Sequence, residues 1–219
     1  MARQENSFIS DLLQNQTVRT VLLGTLFLGT VGFILLGYRG YKNYIAQKAT
    51  SALIECTDRF DRLVARKDKK YVPQELEDLM ACFEKAYEEY SATSLAPYYL
   101  AYKSTLQLLA GKTDEGISSL KSVVDLLDSA DVLYAPFAIK LALVQISSGV
   151  PQHVATGKAL LDNLAQRSDN PYRDMALYYR GLYPFADGNR KEAEALWSEL
   201  LVMNNSAWSE LARQKLAYE

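Results

Sequence analysis

Residues 94–127 read SLAPYYLAYKSTLQLLAGKTDEGISSLKSVVDLL, residues 133–166 read LYAPFAIKLALVQISSGVPQHVATGKALLDNLAQ, and residues 170–203 read NPYRDMALYYRGLYPFADGNRKEAEALWSELLVM. Each stretch carries one apolar-periodic helical segment, a glycine turn and a second such segment. The turn glycines, Gly111, Gly149 and Gly188, lie 38 and 39 residues apart. That period predicts an all-α array of stacked helix–turn–helix units. On the first helices Ser104, Ala142 and Gly181 fall seven residues before the turn glycine, and on the second helices Gly116, Ala155 and Ala193 are small. Small residues at both places let two helices approach closely. Four residues on come large apolar residues, Leu120 and Trp197, with Ala159 or Leu160 in the second unit if one residue is inserted there. Ser206 to Ala217 reads as a terminal helix that covers the last unit, a cap such arrays need.

Upstream of the repeats the helical pattern continues. Tyr41, Ile45, Ala49, Ala52, Cys56, Phe60, Leu63 and Val64 recur at three and four residues, while residues 39–70 hold nine Lys or Arg against four Asp or Glu. A basic surface of that kind can meet anionic headgroups or simply be solvated. The pattern breaks at Arg66–Lys70, and Pro73 suits the start of a helix running to about Tyr90, with Leu76, Leu79, Met80, Phe83, Ala86 and Tyr87 as its stripe.

Between Arg19 and Arg39 lie nineteen residues without a charge. As a helix they would reach roughly 28 Å, close to the hydrocarbon thickness of a bilayer. Tyr38, Tyr41 and Tyr44 follow at and beyond one interface. A cleaved signal peptide would end in a small-x-small site and unstructured sequence. Here Gly37-Tyr38-Arg39-Gly40-Tyr41-Lys42 leads straight into more helix, so a retained transmembrane helix is expected. Thr25, Gly29 and Gly32 place small residues along it, where a second membrane helix could pack. By charge the orientation is a near tie that leans slightly toward a cytoplasmic C-terminal domain, with Arg3, Arg19 and the amino terminus before the span and Arg39, Lys42 and Lys48 after it. The expected organisation is a polar segment at 1–18, a transmembrane helix at 19–40, a juxtamembrane helix and first hairpin at 41–92, and three hairpins with a capping helix at 93–219.

The composition narrows function by exclusion. A chain with 49% apolar and 23% charged residues and a formal net charge of -2 is neither a disordered acidic tail nor a general nucleic-acid binder. The lone histidine, His153, cannot make a zinc site unaided, and no nucleophile elbow or phosphate loop occurs. No cofactor, small-molecule substrate or enzymatic activity is implied. Cys56 and Cys82 are read first as two small buried hydrophobes; a disulfide between neighbouring helices is the alternative and would require an oxidising compartment. Fifteen tyrosines are unusual. Tyr98, Tyr99 and Tyr102 with Lys103, and Tyr178, Tyr179 and Tyr183 with Arg180, fall on first helices, which line the concave face of such arrays. They are the candidate peptide groove, although the same spacings also serve packing between helices.

The small-residue positions resemble those of the tetratricopeptide repeat in degenerate form, most closely in RGLYPFADGNRKEAEALWSEL, where Gly181, Gly188 and Ala193 take the motif's small positions. Ser104 stands where the motif prefers glycine and Gly116 where it prefers alanine. The layout as a whole, a short polar N-terminus, one span, the aromatic-basic stretch GYRGYKNYIAQKATSA and then divergent repeats, resembles the bacterial YfgM-type family of inner-membrane proteins associated with the secretion translocon. That resemblance implies a domain on the periplasmic side, with translocon subunits, exported chains or periplasmic chaperones as its partners. A structural adaptor for one defined envelope complex, or a scaffold facing the cytoplasm, are the competing readings.

Overall fold

In the computed structural model, residues 16–66, 71–203 and 205–217 are described, with side chains from Phe33 onward. Every regular element among them is a helix. In chain order these are α1 (Gln16–Val64), α2 (Pro73–Tyr90), α3 (Ala96–Leu109), α4 (Thr113–Leu126), α5 (Tyr134–Ser147), α6 (Pro151–Gln166), α7 (Arg173–Ala186), α8 (Arg190–Leu201) and α9 (Ala207–Ala217). Local chemistry sets their ends. Pro73 and Pro151 open α2 and α6, where a fixed φ and a missing N–H cost nothing. Asn189 caps α8 by accepting the Glu192 N–H, and its amide donates back to the Glu192 carboxylate at 2.6 Å.

The three predicted turns are where they were expected. Gly111, Gly149 and Gly188 hold φ of 76°, 70° and 77°, and no neighbour lies within 4 Å of a Cβ built there. Glycine is required at these turns by backbone conformation alone. After the first and third, the N–H groups of Lys112 and Asn189 close back on the carbonyls of Gln107 and Pro184, both at 2.8 Å. Pro184 thus sits in the last turn of α7 and supplies an acceptor there.

The chain divides into two compact units, residues 1–51 and 52–219. In the second, α3–α4, α5–α6 and α7–α8 are antiparallel hairpins stacked in order, and α9 packs on α8 and α7. Each hairpin closes on one crossing point. Gly116 faces Leu108, and the Ser104 hydroxyl donates to the Gly116 carbonyl at 2.8 Å. In the third hairpin the roles of small and large are exchanged: the Trp197 ring lies directly on Gly181, and its N–H donates to the Tyr178 carbonyl at 2.8 Å. In the second, the crossing residue is Gly157, where a Cβ would stand 2.6 Å from the Ala142 carbonyl. This corrects the expected register. Ala155 is exposed, and the large residue four places on is the buried Leu161, not Ala159 or Leu160. α6 begins the same distance after its glycine as α4 does, but three further residues precede the crossing, nearly one added turn at Pro151–His153.

The cysteines are joined. Cys56 on α1 and Cys82 on α2 form a disulfide with a Cα–Cα distance of 6.1 Å and a sequence separation of 26. The reading of two free buried hydrophobes is therefore replaced by its alternative. Closing a loop of that length stabilises by roughly 3–4 kcal/mol on the chain-entropy account. Arg66, just past α1, and Glu75 of α2 add a bidentate pair at 2.6 and 2.8 Å.

The expected membrane segment lies on α1. Its side chains up to Gly32, with Thr25, Gly29 and Gly32, fall outside the described residues. Among the described residues no helix is long and apolar enough to cross a membrane.

Two glycines separate the two kinds of constraint. Gly181→Val should push into the Trp197 ring and lower stability by about 3 kcal/mol. Gly188→Ala should cost only about 1 kcal/mol, from backbone conformation. Urea denaturation of the two variants measures both.

Candidate protein-binding surface

The first helices α3, α5 and α7 bring the predicted groove residues to several different places. Tyr99 is fully buried at 0% exposure, and burial, then the neighbouring Tyr90 and Glu89, push its phenol up to about 12. Tyr178 is 7% exposed, stacks on Trp197 at 5.9 Å between centroids, and is likewise raised, first by burial. Both belong to the interior, and this corrects their place in the candidate groove. Adjacent tyrosines on a helix point about 100° apart, so one of each pair turns inward.

Their partners are half-buried. Tyr102 stacks on Phe83 at 5.0 Å and meets the edge of Phe60 at 5.1 Å, so it joins α3 to both α2 and α1. Tyr179 packs on Trp208 of α9 at 5.5 Å, and Tyr178 meets the same indole at 5.2 Å. This aromatic cluster seats the terminal helix. The Ser206 hydroxyl supports the seat by donating to Asp174 at 2.7 Å, and Arg213 donates to the Leu201 carbonyl at 2.7 Å. Tyr183 is raised by burial and by Tyr179, and lines a small cleft with Lys158, Asp162, Arg180 and Glu192.

The two candidate cations share one structural role. Lys103 pairs with Glu84 of α2 at 2.6 Å, and Arg180 pairs with Asp162 of α6 at 2.5 Å. Each stands one residue before its hairpin's crossing residue and reaches the second helix of the preceding hairpin. The equivalent residue in the second unit, Leu141, makes the same junction with Ile117 and Leu120 as a buried apolar contact. This position ties neighbouring units together. Pairs of this partly exposed kind contribute up to about 1 kcal/mol each.

One residue the sequence reading passed over stands out. Lys140 is the only charge in α5. Its ammonium donates to Thr105 of α3 at 2.9 Å, and among the described residues it forms no ion pair. Burial holds its pKa below the ordinary lysine range. On the same two helices Tyr98 meets the edge of Phe137 at 6.4 Å. Tyr98, Thr105, Phe137 and Lys140 make a half-buried strip across α3 and α5, with aromatic faces and one desolvated cation. At its Tyr98 end lies a cleft of about 470 Å³ bordered by Thr93, Leu95, Leu126 and Leu133. The signal in sequence was a single lysine in an otherwise uncharged helix. No group of three or more potential metal ligands occurs among the described residues. His153 sits 3.4 Å from the Ser148 hydroxyl and 3.9 Å from Asp114.

No protein-family model and no curated protein matches the chain. Among solved structures it is similar to a tetratricopeptide repeat protein from Parabacteroides merdae, with a TM-score of 0.53 and 20% identity over 78% of this chain. The chain covers 59% of that protein's length. At this identity the likeness establishes the fold, a tetratricopeptide-like stack of helical hairpins, in agreement with the crossings and turns above.

The tyrosine environment predicts a pH dependence. Native Tyr99 keeps its proton to about 12, whereas the unfolded phenol releases it near 10.0. The unfolded chain therefore loses the proton first, and stability falls as pH rises through that window. Tyr99→Phe should flatten this alkaline limb in denaturation curves recorded at successive pH values.

Proposed function

We propose that the chain is a membrane-anchored protein–protein interaction module that presents its helical array outside the cytoplasm. The observation that carries the binding reading is the strip of Tyr98, Thr105, Phe137 and Lys140. It offers rigid aromatic area at low entropic cost together with a cation that has given up much of its water without gaining an anion. A partner segment carrying a carboxylate beside an apolar or aromatic group would complement it. The remaining first-helix surface supplies less, since Tyr99 and Tyr178 are interior and Lys103 and Arg180 are paired.

Anchoring is supported by the nineteen-residue uncharged run before Arg39 and by the exposure of Phe33, Ile34, Leu35 and Leu36, from 62% to 79%, on the helix that continues it. The extracytoplasmic side is supported by Cys56 and Cys82, which stand in bonding geometry and would persist as a disulfide in an oxidising compartment. The resemblance in layout to YfgM-type proteins supports a position beside the secretion translocon, with exported chains or periplasmic chaperones as partners.

Two measurements in cells test this. An Ala217→Cys variant should react with a membrane-impermeant maleimide once the outer barrier is opened; protection until the inner membrane is broken would overturn the extracytoplasmic placement. A photo-crosslinking residue at Phe137 should capture exported or envelope proteins, and Lys140→Ala should lower that yield about ten-fold, the effect of one anchoring contact.

A further inference from the structure

From Leu12 to Ile54 the chain runs forty-three residues without a single Asp or Glu, while Arg19, Arg39, Lys42 and Lys48 are present. Elsewhere several basic side chains find carboxylates, as in Arg66–Glu75, Lys112–Glu77, Arg167–Asp169 and Arg190–Glu194. Among the described residues Lys42 and Lys48 do not. Each rests on a ring instead, Lys42 at 5.4 Å over Tyr38 and Lys48 at 5.8 Å over Tyr44. Those rings are open to their surroundings, with Tyr38, Tyr41 and Tyr44 58%, 64% and 55% exposed. Directly before them come the exposed apolar side chains Phe33–Leu36.

At a rise of ~1.5 Å per residue, Tyr38 to Tyr44 covers about 9 Å of helix, comparable to the headgroup layer of one leaflet. At ~100° per residue, Tyr38, Arg39, Tyr41, Lys42, Tyr44 and Lys48 cover well over half of the helix circumference. They form a collar of alternating rings and cations. Amphipathic rings settle where hydrocarbon gives way to headgroups, and a cation parked on a ring can exchange it for a phosphate at little cost. We propose that residues 38–48 form a headgroup-binding collar selective for anionic phospholipid. This rests on the reading of the chain as membrane-anchored and adds the lipid class it selects. Lipid fits better than an acidic protein because the cations adjoin exposed apolar side chains on one side and are spread around the helix.

The test uses the full chain with Tyr41→Trp, reconstituted into phosphatidylcholine vesicles containing brominated phosphatidylglycerol or, at equal mole fraction, brominated phosphatidylcholine. The parent chain, with its two other indoles, is the subtraction. Quenching by brominated phosphatidylglycerol should exceed that by brominated phosphatidylcholine about three- to five-fold, and the difference should fall with added salt. Changing Arg39→Gln, Lys42→Gln and Lys48→Gln together should make the two lipids equal. Equal quenching in the unsubstituted collar would overturn the proposed selectivity and leave the membrane anchor standing. No quenching by either lipid would overturn the anchor, and the collar with it.

Discussion

Two helices can lie against each other at full contact only where one of them presents almost no side chain. The array is organised around three such places, Ser104–Gly116, Ala142–Gly157 and Gly181–Trp197. At each, the hairpin's axes are fixed by what is missing as much as by what is packed. The third shows how the constraint can be met by unlike means. Where the first unit fills the crossing with a serine that satisfies a carbonyl, the third removes the first-helix side chain entirely and fills the space with an indole. That indole then satisfies the Tyr178 carbonyl through its N–H. A hydrogen bond to a neighbouring backbone accompanies the close approach in both.

Stacking follows from the crossings. With each hairpin's geometry fixed, the residue just before the crossing points at the previous unit, and the three units solve that junction with a lysine, a leucine and an arginine. Side chains spent on the junction are not available to a partner. A narrow strip lies where α3 and α5 meet, and its one cation is left without a counter-charge among the described residues. Among the described residues the third unit is followed by α9, which packs on it through Trp208, Ser206 and Arg213.

Much of this was legible in the residues. The turn glycines needed left-handed backbone and announced themselves by their period, and the first-helix crossing residues lay seven places before them. The second-helix register of the middle unit was not legible. An added turn at the start of a helix leaves the glycine spacing nearly unchanged while shifting every contact by three residues. The adjacent tyrosines were ambiguous for another reason: helical periodicity says that two neighbours face differently, and only the packing of α2, α8 and α9 decides which faces inward. The pairing of Cys56 with Cys82 depended on the relative register of two separate helices, which no local pattern contains. Lys140 was visible as an isolated charge, but its meaning came from the surroundings that α3 supplies.

The disulfide also changes the connectivity of the molecule. Between Cys56 and Cys82 the polypeptide passes through the whole interhelix connection, residues 65–72. A single cut in that connection would leave the repeat array covalently attached to α1, because the bridge supplies a second path between the same two helices. Mechanical load carried along α1 would likewise pass into α2 at Cys82, near its middle, and bypass the connection.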